Sequence, residues 1–446
     1  MAAITSAGIG SGLDVASIVS QLVAAERAGP DQRISIATTR AKTTISAIGN
    51  FRSLVASLQT AAKGLLPGTG GTPSALAKLT ATTGNDKLYT ASAGNKAVAG
   101  NYAVEVVSLA TGSKRASGVY ANSSAVLGNG DVTLTTGGKS FTVTLADGAN
   151  TLADLRDKIN AASDNTGVGA TIVNDEVGGG VRLVLSSRDT GTANAVAVSS
   201  SLLTTTETQP ATNAVVKVDG YTTTSASNAV TTAIDGLTLN LVKAEPGTTS
   251  TLTVGLDAKA SEAAVATFVN AYNNVVKFIN TQTKYDAATD TAGVLLGDAS
   301  VRSATQAIRN VIGGANDDAG TYKTLSALGI TTSDDGTLIS DTAKFSKAQT
   351  TDFASVQRLF AGENGLATRL DAVAKQLLGD DGQIKARTDG LNARLKDLDK
   401  QKLAVDTRVA AFEARTRAQF TALDTLMAKL GTTSTYLSQQ LSNLNY

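Results

Sequence analysis

Apolar positions in the last part of the chain recur in steps of three and four. A spacing of about 3.5 residues places one stripe along a helix, so this pattern predicts a long helix buried against another helix. Three polar residues interrupt the stripe, Lys402, Thr416 and Gln419. The apolar positions of this predicted coiled-coil seam are Leu391, Leu395, Leu398, Val405, Val409, Phe412, Leu423 and Leu426.

A second stripe with the same period lies near the other end of the chain. It belongs to a helix predicted from about residue 31 to residue 66. We expect Gly29-Pro30 to separate this helix from a shorter one capped by Asp14, because proline disfavours a helical residue before it. The two stripes flank everything else, so the chain ends are predicted to pair. The seam positions on this side are Ile34, Ile45, Ile48, Val55 and Leu58.

Apolar positions continue beyond this pairing at both ends of the chain. They would stand in water unless another subunit covers them, so we predict a partner or oligomer interface there. The alternative is a long helical pair internal to one globular domain, and the pattern alone leaves it open. The predicted interface positions are Leu13, Val15, Ile18, Leu22, Leu430, Tyr436, Leu437, Leu441 and Leu444.

Between the stripes the pattern changes to short alternating strands and turns. A hairpin is predicted around the turn Gly137-Gly138, because apolar and polar residues alternate on both sides of it. Thr151 is predicted to cap a single helix. Two more strands, at 170–173 and 181–185, complete a compact α+β unit. Helical periodicity returns from about residue 257, with one tight hairpin turning at Asp335-Gly336.

The predicted fold class is therefore α+β multidomain. It has a long terminal α-helical coiled coil and a helical body, with two nested β-containing outer domains. The predicted domains are a partly flexible terminal helical (leg) domain at 1–42 and 400–446, a helical body with a β-hairpin at 43–76 and 256–399, a β domain at 77–125 and 201–255, and an inserted α+β domain at 126–200.

Composition narrows the functional classes. The 446 residues carry a net charge of +1, with 39 basic and 38 acidic side chains spread along the chain, so no basic stripe for nucleic acid or an anionic membrane is present. No window approaches the roughly 18 consecutive apolar residues of a membrane span. We expect neither nucleic acid nor membrane as a partner.

The chain contains no cysteine and no histidine. This excludes thiol nucleophiles, disulfides and Ser-His-Asp triads, and nearly all zinc chemistry. Paired aspartates at 317–318, 334–335 and 380–381 adjoin glycines in turns, where neighbouring carboxylates point apart instead of facing each other across a cleft. We therefore predict no catalytic, cofactor-binding or metal site and no enzyme activity; a cell-wall hydrolase is the alternative that this geometry opposes.

Nine segments spread over nearly the full length carry recognisable motifs. They are Gly8–Glu26, Gly100-Asn-Tyr-Ala-Val-Glu-Val, Val218-Asp-Gly, Gly236-Leu-Thr-Leu-Asn-Leu, Phe268-Val-Asn-Ala-Tyr-Asn-Asn-Val-Val, Leu296-Gly-Asp, Leu328-Gly-Ile, Gln419-Phe-Thr-Ala-Leu-Asp and Ser434-Thr-Tyr-Leu-Ser-Gln-Gln-Leu. Together they resemble the bacterial flagellar filament-capping family, flagellar hook-associated protein 2, and Gly8–Glu26 is similar to the opening signature of that family.

The resemblance implies a secreted, extracellular protein at the distal tip of the flagellum, where a ring of copies retains flagellin and promotes its folding and polymerisation. It implies self-association as a pentamer, with a tetramer or hexamer as alternatives. Flagellin, hook–filament junction proteins, the flagellar type III export apparatus and an export chaperone are the other implied partners. We expect no cleaved secretory signal, because the first basic residue is Arg27 and no apolar run precedes it.

A different function remains as the alternative, a surface-exposed adhesin. Its outer β domains would bind mucin or other host glycans, and both roles are compatible with exposed outer domains. Binding of glycans by residues 77–255 is the observation that separates the two.

Overall fold

The structure, a computed structural model, describes residues 14–444, without the side chains of residues 443 and 444. The chain folds into two compact units, one formed by both chain ends (1–66 and 262–446) and one by residues 67–261. The fold is α+β and multidomain. Whether each unit divides further at the predicted leg, body and outer-domain boundaries stays a prediction.

Eight α-helices are present in the described residues, besides five 3-10 helices of three residues each. They are α1 (Val15–Gly64), α2 (Leu152–Ala161), α3 (Ala258–Thr283), α4 (Ala299–Gly313), α5 (Thr342–Thr351), α6 (Phe353–Ala361), α7 (Leu366–Leu378) and α8 (Gln383–Leu444). At 1.5 Å per residue, α1 and α8 are about 75 Å and 93 Å long.

Fifteen strands, β1 to β15, belong to the 67–261 unit, and four short ones, β16 to β19, to the helical unit. They are β1 (Leu79–Thr83), β2 (Tyr89–Ala93), β3 (Gly100–Ser108), β4 (Lys114–Ser117), β5 (Gly130–Thr136), β6 (Lys139–Leu145), β7 (Val168–Asp175), β8 (Gly180–Ser187), β9 (Ala197–Ser200), β10 (Thr205–Gln209), β11 (Ala214–Val218), β12 (Tyr221–Ser225), β13 (Ala229–Val230), β14 (Leu237–Leu241), β15 (Thr249–Leu256), β16 (Tyr285–Asp286), β17 (Thr291–Ala292), β18 (Ile330–Thr332) and β19 (Leu338–Ser340).

The break predicted at Gly29-Pro30 is wrong, because α1 runs through Pro30 from Val15 to Gly64. Proline has no N–H to donate to the carbonyl four residues earlier, which normally ends or kinks a helix. Two ion pairs lie beside the turn around the proline. Arg27 contacts Asp31 at 2.5 Å on the same helix and Asp406 on α8.

The helical unit is built around buried aromatic and aliphatic side chains. Phe268 of α3 and Phe360 of α6 meet edge to face, with ring centroids 6.4 Å apart. The predicted hairpin at Asp335-Gly336 is confirmed, since β18 pairs with β19 and Gly336 takes a positive φ of 83° in the turn. Asn273 of α3 fixes this hairpin, because its side chain both donates to the Leu338 carbonyl and accepts from the Leu338 N–H.

The 67–261 unit contains two separate hydrophobic cores. The first lies between a five-stranded antiparallel sheet, in the order β1-β15-β3-β11-β12, and a three-stranded sheet, in the order β13-β14-β2. Alternate residues of these strands face inward, as Val104 and Val106 on β3 and Leu252 and Val254 on β15 show.

The second core lies among the sheet β6-β5-β9, the sheet β10-β4-β8-β7 and helix α2. The predicted hairpin is confirmed: Gly137 and Gly138 both have positive φ, 60° and 72°, the combination that a two-residue turn of this type requires. The predicted cap is confirmed too. Thr151 accepts from the Asp154 N–H, and the Asp154 carboxylate accepts from the Thr151 N–H.

The sheets differ from the predicted division at residues 125/126 and 200/201. Strands β4 and β10 lie outside the predicted inserted domain, yet β4 pairs with β8 and β10 pairs with β4. Leu203 also joins the second core. Through these hydrogen bonds, about a dozen residues on either side of 126–200 join the inserted α+β core. A short strand is stabilised when it pairs with the edge of a sheet.

Candidate functional site

The paired parts of α1 and α8 bury one apolar stripe of each helix. On α1, Ile48, Val55 and Leu58 are at most 1% exposed, and Ile34 and Ile45 are half-buried. On α8, Leu391, Leu398 and Val409 are buried. Leu395, Val405 and Phe412 are half-buried. Helix α1 also contacts α7, so this end of the pair is part of a larger helical core.

Ion pairs show that the two helices run antiparallel and fix their register. Arg27 contacts Asp406, and Glu26 lies 3.6 Å from Arg408, so residue numbers on the two helices add up to about 433. Farther along, Arg52 donates to the Leu378 carbonyl, just before α8 begins. In this register the first described residues of α1 lie opposite about residue 418. Residues 420–444, which we call the α8 extension, run past them.

The three polar positions in the seam have different surroundings. Lys402 is exposed and lies 3.4 Å from Asp406, so its ammonium adds to the ion pair between Arg27 and Asp406. Thr416 is buried, with 6% of its surface exposed, and therefore belongs to the packed stripe. Gln419 is exposed.

The predicted interface positions near the start of α1 are only partly exposed. Val15, one of these positions, is 3% exposed, and its neighbour Val19, which is not among them, is 1% exposed, so both pack within their own chain instead of forming an open surface. Ile18 is half-buried and Leu22 is 40% exposed. Leu13 lies outside the described residues. A role for these positions in partner binding stays a prediction.

The α8 extension has an apolar face that no described part of the chain covers. Leu423 and Leu426, predicted as seam positions, are 42% and 54% exposed, so among the described residues the packed seam ends near Thr416. The predicted interface residues Leu430, Tyr436, Leu437 and Leu441 are 55–63% exposed. Leu444 is the last residue of the helix, and its side chain is not described.

This face is the strongest candidate for a functional site in the described chain. Leucines at 423, 426, 430, 437 and 441 recur in steps of three, four and seven and so lie along one side of the helix. The opposite side carries threonines at 421, 425 and 432. Large apolar side chains aligned on a lone helix are typical of a surface that another helix covers.

Two of the three aspartate pairs make polar contacts around their own turns. Asp335 accepts hydrogen bonds from the hydroxyl and N–H of Thr337, and these bonds lower the pKa of its carboxyl. Asp317 and Asp318 lie in a turn and contact Lys323 and Asn364. Between residues 14 and 444, no three acidic side chains converge in a way that would hold a metal ion. In the same range, no helix is long and apolar enough to span a membrane.

Sequence reasoning missed two polar clusters that hold the helical unit together. One cluster is formed around Arg27 and Asp406. The other surrounds Asp371 on α7, and this aspartate is 8% exposed. Lys375 lies 2.7 Å from the Asp371 carboxylate, Lys63 lies 3.5 Å from it, and Gln59 donates to it at 2.7 Å. The i, i+4 spacings of Arg27/Asp31 and Asp371/Lys375 were the only signals in the sequence, and such pairs are common on exposed helices.

Comparison with known proteins agrees with this architecture. Models of the N-terminus and the C-terminus of flagellar hook-associated protein 2 match residues 11–113 and 211–432, and a flagellin hook IN motif matches residues 131–189. The B-type flagellar hook-associated protein 2 of Pseudomonas aeruginosa is 34% identical, over 99% of this chain and 98% of its own. Flagellar hook-associated protein 2 of Escherichia coli K12 is 32% identical, over 99% of both chains.

A solved structure shares the fold. The crystal structure of the flagellar cap protein FliD D1-D2-D3 domains from Escherichia coli aligns with a TM-score of 0.61 at 28% identity, covering 78% of this chain and 99% of that one. With relatives above 30% identity along nearly the whole chain, this protein belongs to the flagellar hook-associated protein 2 family.

Proposed function

We propose that this protein forms the cap at the distal tip of the bacterial flagellar filament. A ring of copies there retains exported flagellin and promotes its folding and polymerisation, so the filament elongates only beneath the cap. Membership of the flagellar hook-associated protein 2 family supports the role. The observation that carries the mechanism is the uncovered leucine face of the α8 extension.

In this mechanism the α8 extension is a leg that binds helices of flagellin beneath the cap. Burying a leucine fully is worth about 1.5–3 kcal/mol, and the five leucines of this face are 42–63% exposed, so covering each gains only part of that value. Association costs at least about 4 kcal/mol in lost freedom, so each leg binds only modestly. Modest binding lets one leg release and rebind while the others hold the cap on the filament.

The outer unit, residues 67–261, would pack side by side with its copies into a plate that blocks the loss of flagellin. We expect a pentamer, with a tetramer or hexamer as alternatives, and native mass separates these in steps of one 45.2 kDa chain. The proposed partners during delivery are the flagellar type III export apparatus, an export chaperone and the hook–filament junction proteins.

Two matched double variants test the leg. Leu430→Ser with Leu437→Ser removes apolar surface from the leucine face, whereas Thr425→Ser with Thr432→Ser changes exposed positions on the opposite side. All four residues are exposed in the free chain. We therefore expect both proteins to melt within about 2 °C of the wild type, since exposed substitutions change stability by less than about 0.5 kcal/mol.

Filament length in a strain that lacks its own cap protein is the functional measurement. The serine-for-leucine protein is expected to leave cells with few or no filaments and flagellin in the medium, and the threonine control to restore normal filaments. Normal filaments from the leucine variant would show that this face is not the leg surface.

A further inference from the structure

The outer edge of β12 is an unprotected edge strand of the five-stranded sheet. Its five residues, Tyr-Thr-Thr-Thr-Ser, include no charge and no proline, and they pair with β11 in five consecutive steps without a bulge. No described strand pairs with its other side. Natural proteins usually block such edges, because free N–H and C=O groups in a row pair readily with another strand.

Four other sheet edges in the same unit carry a group, a charge or a bulge that β12 lacks. Lys158 donates to the Thr144 carbonyl on the outer side of β6. Asn160 both donates to and accepts from Ala170 on the outer side of β7. Strand β10 carries Glu207 and a bulge next to it. At the opposite edge of the five-stranded sheet, the exposed Lys78 directly precedes β1. β12 has none of these devices.

The turn before β12 determines which backbone groups point outward. Asp219 and Gly220, with φ of 50° and 87°, form a two-residue hairpin loop, so Val218 and Tyr221 close it as a hydrogen-bonded pair. Pairing then alternates along the strand. The N–H and C=O groups of Thr222 and Thr224 consequently point away from β11, into the open edge.

The strand is complementary to itself in the antiparallel direction. When a twofold axis through Thr223 relates two copies of β12, Thr222 of one copy lies opposite Thr224 of the other. The outward backbone groups of these residues then form two hydrogen-bonded pairs. Thr223 then faces its own copy at the centre. Threonine pairs across strands are favourable, and the absence of charge avoids the repulsion that would oppose self-pairing of β10 about Glu207.

An exposed aromatic residue lies at the end of the same edge. Tyr221 projects from the side of the sheet that carries the buried Val216 and Val218, yet it is 81% exposed. In the antiparallel arrangement it lies opposite Ser225 of the second copy and diagonal to the second Thr223, within reach of an aromatic ring. Pairing would therefore cover part of the most exposed tyrosine of this unit.

We propose that β12 pairs antiparallel with β12 of a second copy of this chain, about a twofold axis through Thr223. The contact uses the same surface on both copies, so it joins two chains and cannot continue round a ring. This proposal depends neither on the leg surface nor on the ring of copies, so the experiments on β12 and those on the leg can fail separately.

Cross-linking tests the contact directly, because the natural chain has no cysteine. In the full-length protein, Thr223→Cys places two thiols at a pair whose Cα atoms would be about 4.5 Å apart, within the range that a disulfide spans. Thr251→Cys is the matched control, an exposed threonine on β15 inside the same sheet. Under mild oxidation, the first protein is expected to give about tenfold more reducible dimer than the second, since only its thiols meet.

A charge pair provides a second, non-covalent measurement. Thr223→Lys and Thr223→Glu should each weaken self-association in sedimentation equilibrium, since like charges would face each other, and mixing the two proteins should restore it. Equal cross-linking of the two cysteine variants would overturn the proposal. So would an unchanged mass distribution for both charge variants with no gain on mixing.

Discussion

Asp371 shows how single side chains hold the helical unit together. Its carboxylate is buried on α7 and contacts Lys375, Lys63 and Gln59. Burial by itself raises the pKa of this carboxyl. The hydrogen bonds from Lys375 and Gln59 and the nearby Lys63 charge outweigh burial, so the net pKa is lowered. The charged form is therefore the one that the fold stabilises.

This balance predicts how stability depends on pH. A carboxyl whose pKa is lower in the folded than in the unfolded chain stabilises the fold above its unfolded value of about 3.9, and the contribution is lost as pH falls through the folded pKa. Asp371→Asn should therefore lower the free energy of unfolding at pH 7 by about 1–3 kcal/mol, because the buried position loses charge-assisted hydrogen bonds from Lys375 and Gln59. Urea unfolding followed by helical circular dichroism measures it.

The same variant should approach the wild type as the pH falls from about 3.9 through the lowered folded pKa, because the wild-type carboxyl is protonated first in the unfolded chain and then in the folded chain. Asp380→Asn, at an exposed position of a turn, is the matched control and should change stability little at either pH. A constant difference between Asp371→Asn and the wild type down to low pH would mean that charge is not what Asp371 contributes.

At the scale of elements, turns and helix caps can be predicted from the sequence wherever one short motif determines the backbone conformation. Gly137-Gly138 and the Thr151–Asp154 cap were predicted because turn and cap geometry depend on neighbouring residues. The sequence wrongly predicts a helix break at Pro30, because one of the two carboxylates that Arg27 contacts beside this turn, Asp406, lies about 380 residues away. Likewise, Thr416 looked like an interruption until the register placed it within the packed stripe.

Pro30 is a destabilising residue inside helix α1. Pro30 leaves the Glu26 carbonyl without its helical N–H partner, and proline inside a helix costs about 3 kcal/mol relative to alanine. Pro30→Ala should raise the free energy of unfolding of the helical unit by about 1–3 kcal/mol, visible as a higher Tm. The gain in stability is smaller if the backbone of α1 has already adjusted to the proline ring.

Gly29→Ala is the natural comparison for this change. A Cβ at Gly29 meets nothing within 4 Å, so only backbone entropy changes, and the gain should be smaller, about 0.5–1 kcal/mol. If Pro30→Ala destabilises the unit while Gly29→Ala stabilises it, the proline ring itself makes contacts that alanine cannot replace.

At the scale of the whole molecule, the two chain ends contribute unequally to the fold. The start of α1 buries Val15 and Val19 and provides Arg27, whereas the α8 extension is exposed from Thr425 to Ser442. The sequence pattern grouped both ends as one interface. Apolar spacing identifies a stripe, but only the register of the antiparallel pair shows where the chain covers it.

Truncations should reveal this asymmetry. Removing residues 431–446 deletes no buried side chain of the described chain, so the protein should keep its Tm and its helical unit while filament growth is lost. Removing residues 1–30 deletes the buried Val15 and Val19 and the ion pair between Arg27 and Asp406, and should lower stability by roughly 2–5 kcal/mol. Thermal unfolding and filament counts on both proteins check this.

Filaments of normal length from the 431–446 truncation would contradict the proposed role of the α8 extension. Equal stability of the two truncated proteins would contradict the asymmetry itself.

The pairing of α1 with α8 also sets an order of events in folding. The two partners of this helix pair are separated by more than 300 residues, including the complete 67–261 unit. Contacts that distant in sequence form late, after the intervening loop is closed. The 67–261 unit holds all its strand partners within itself, so it can complete its sheets first. The helical unit is assembled only when the last helix is available, and until then the stripe on α1 has no α8 to cover it.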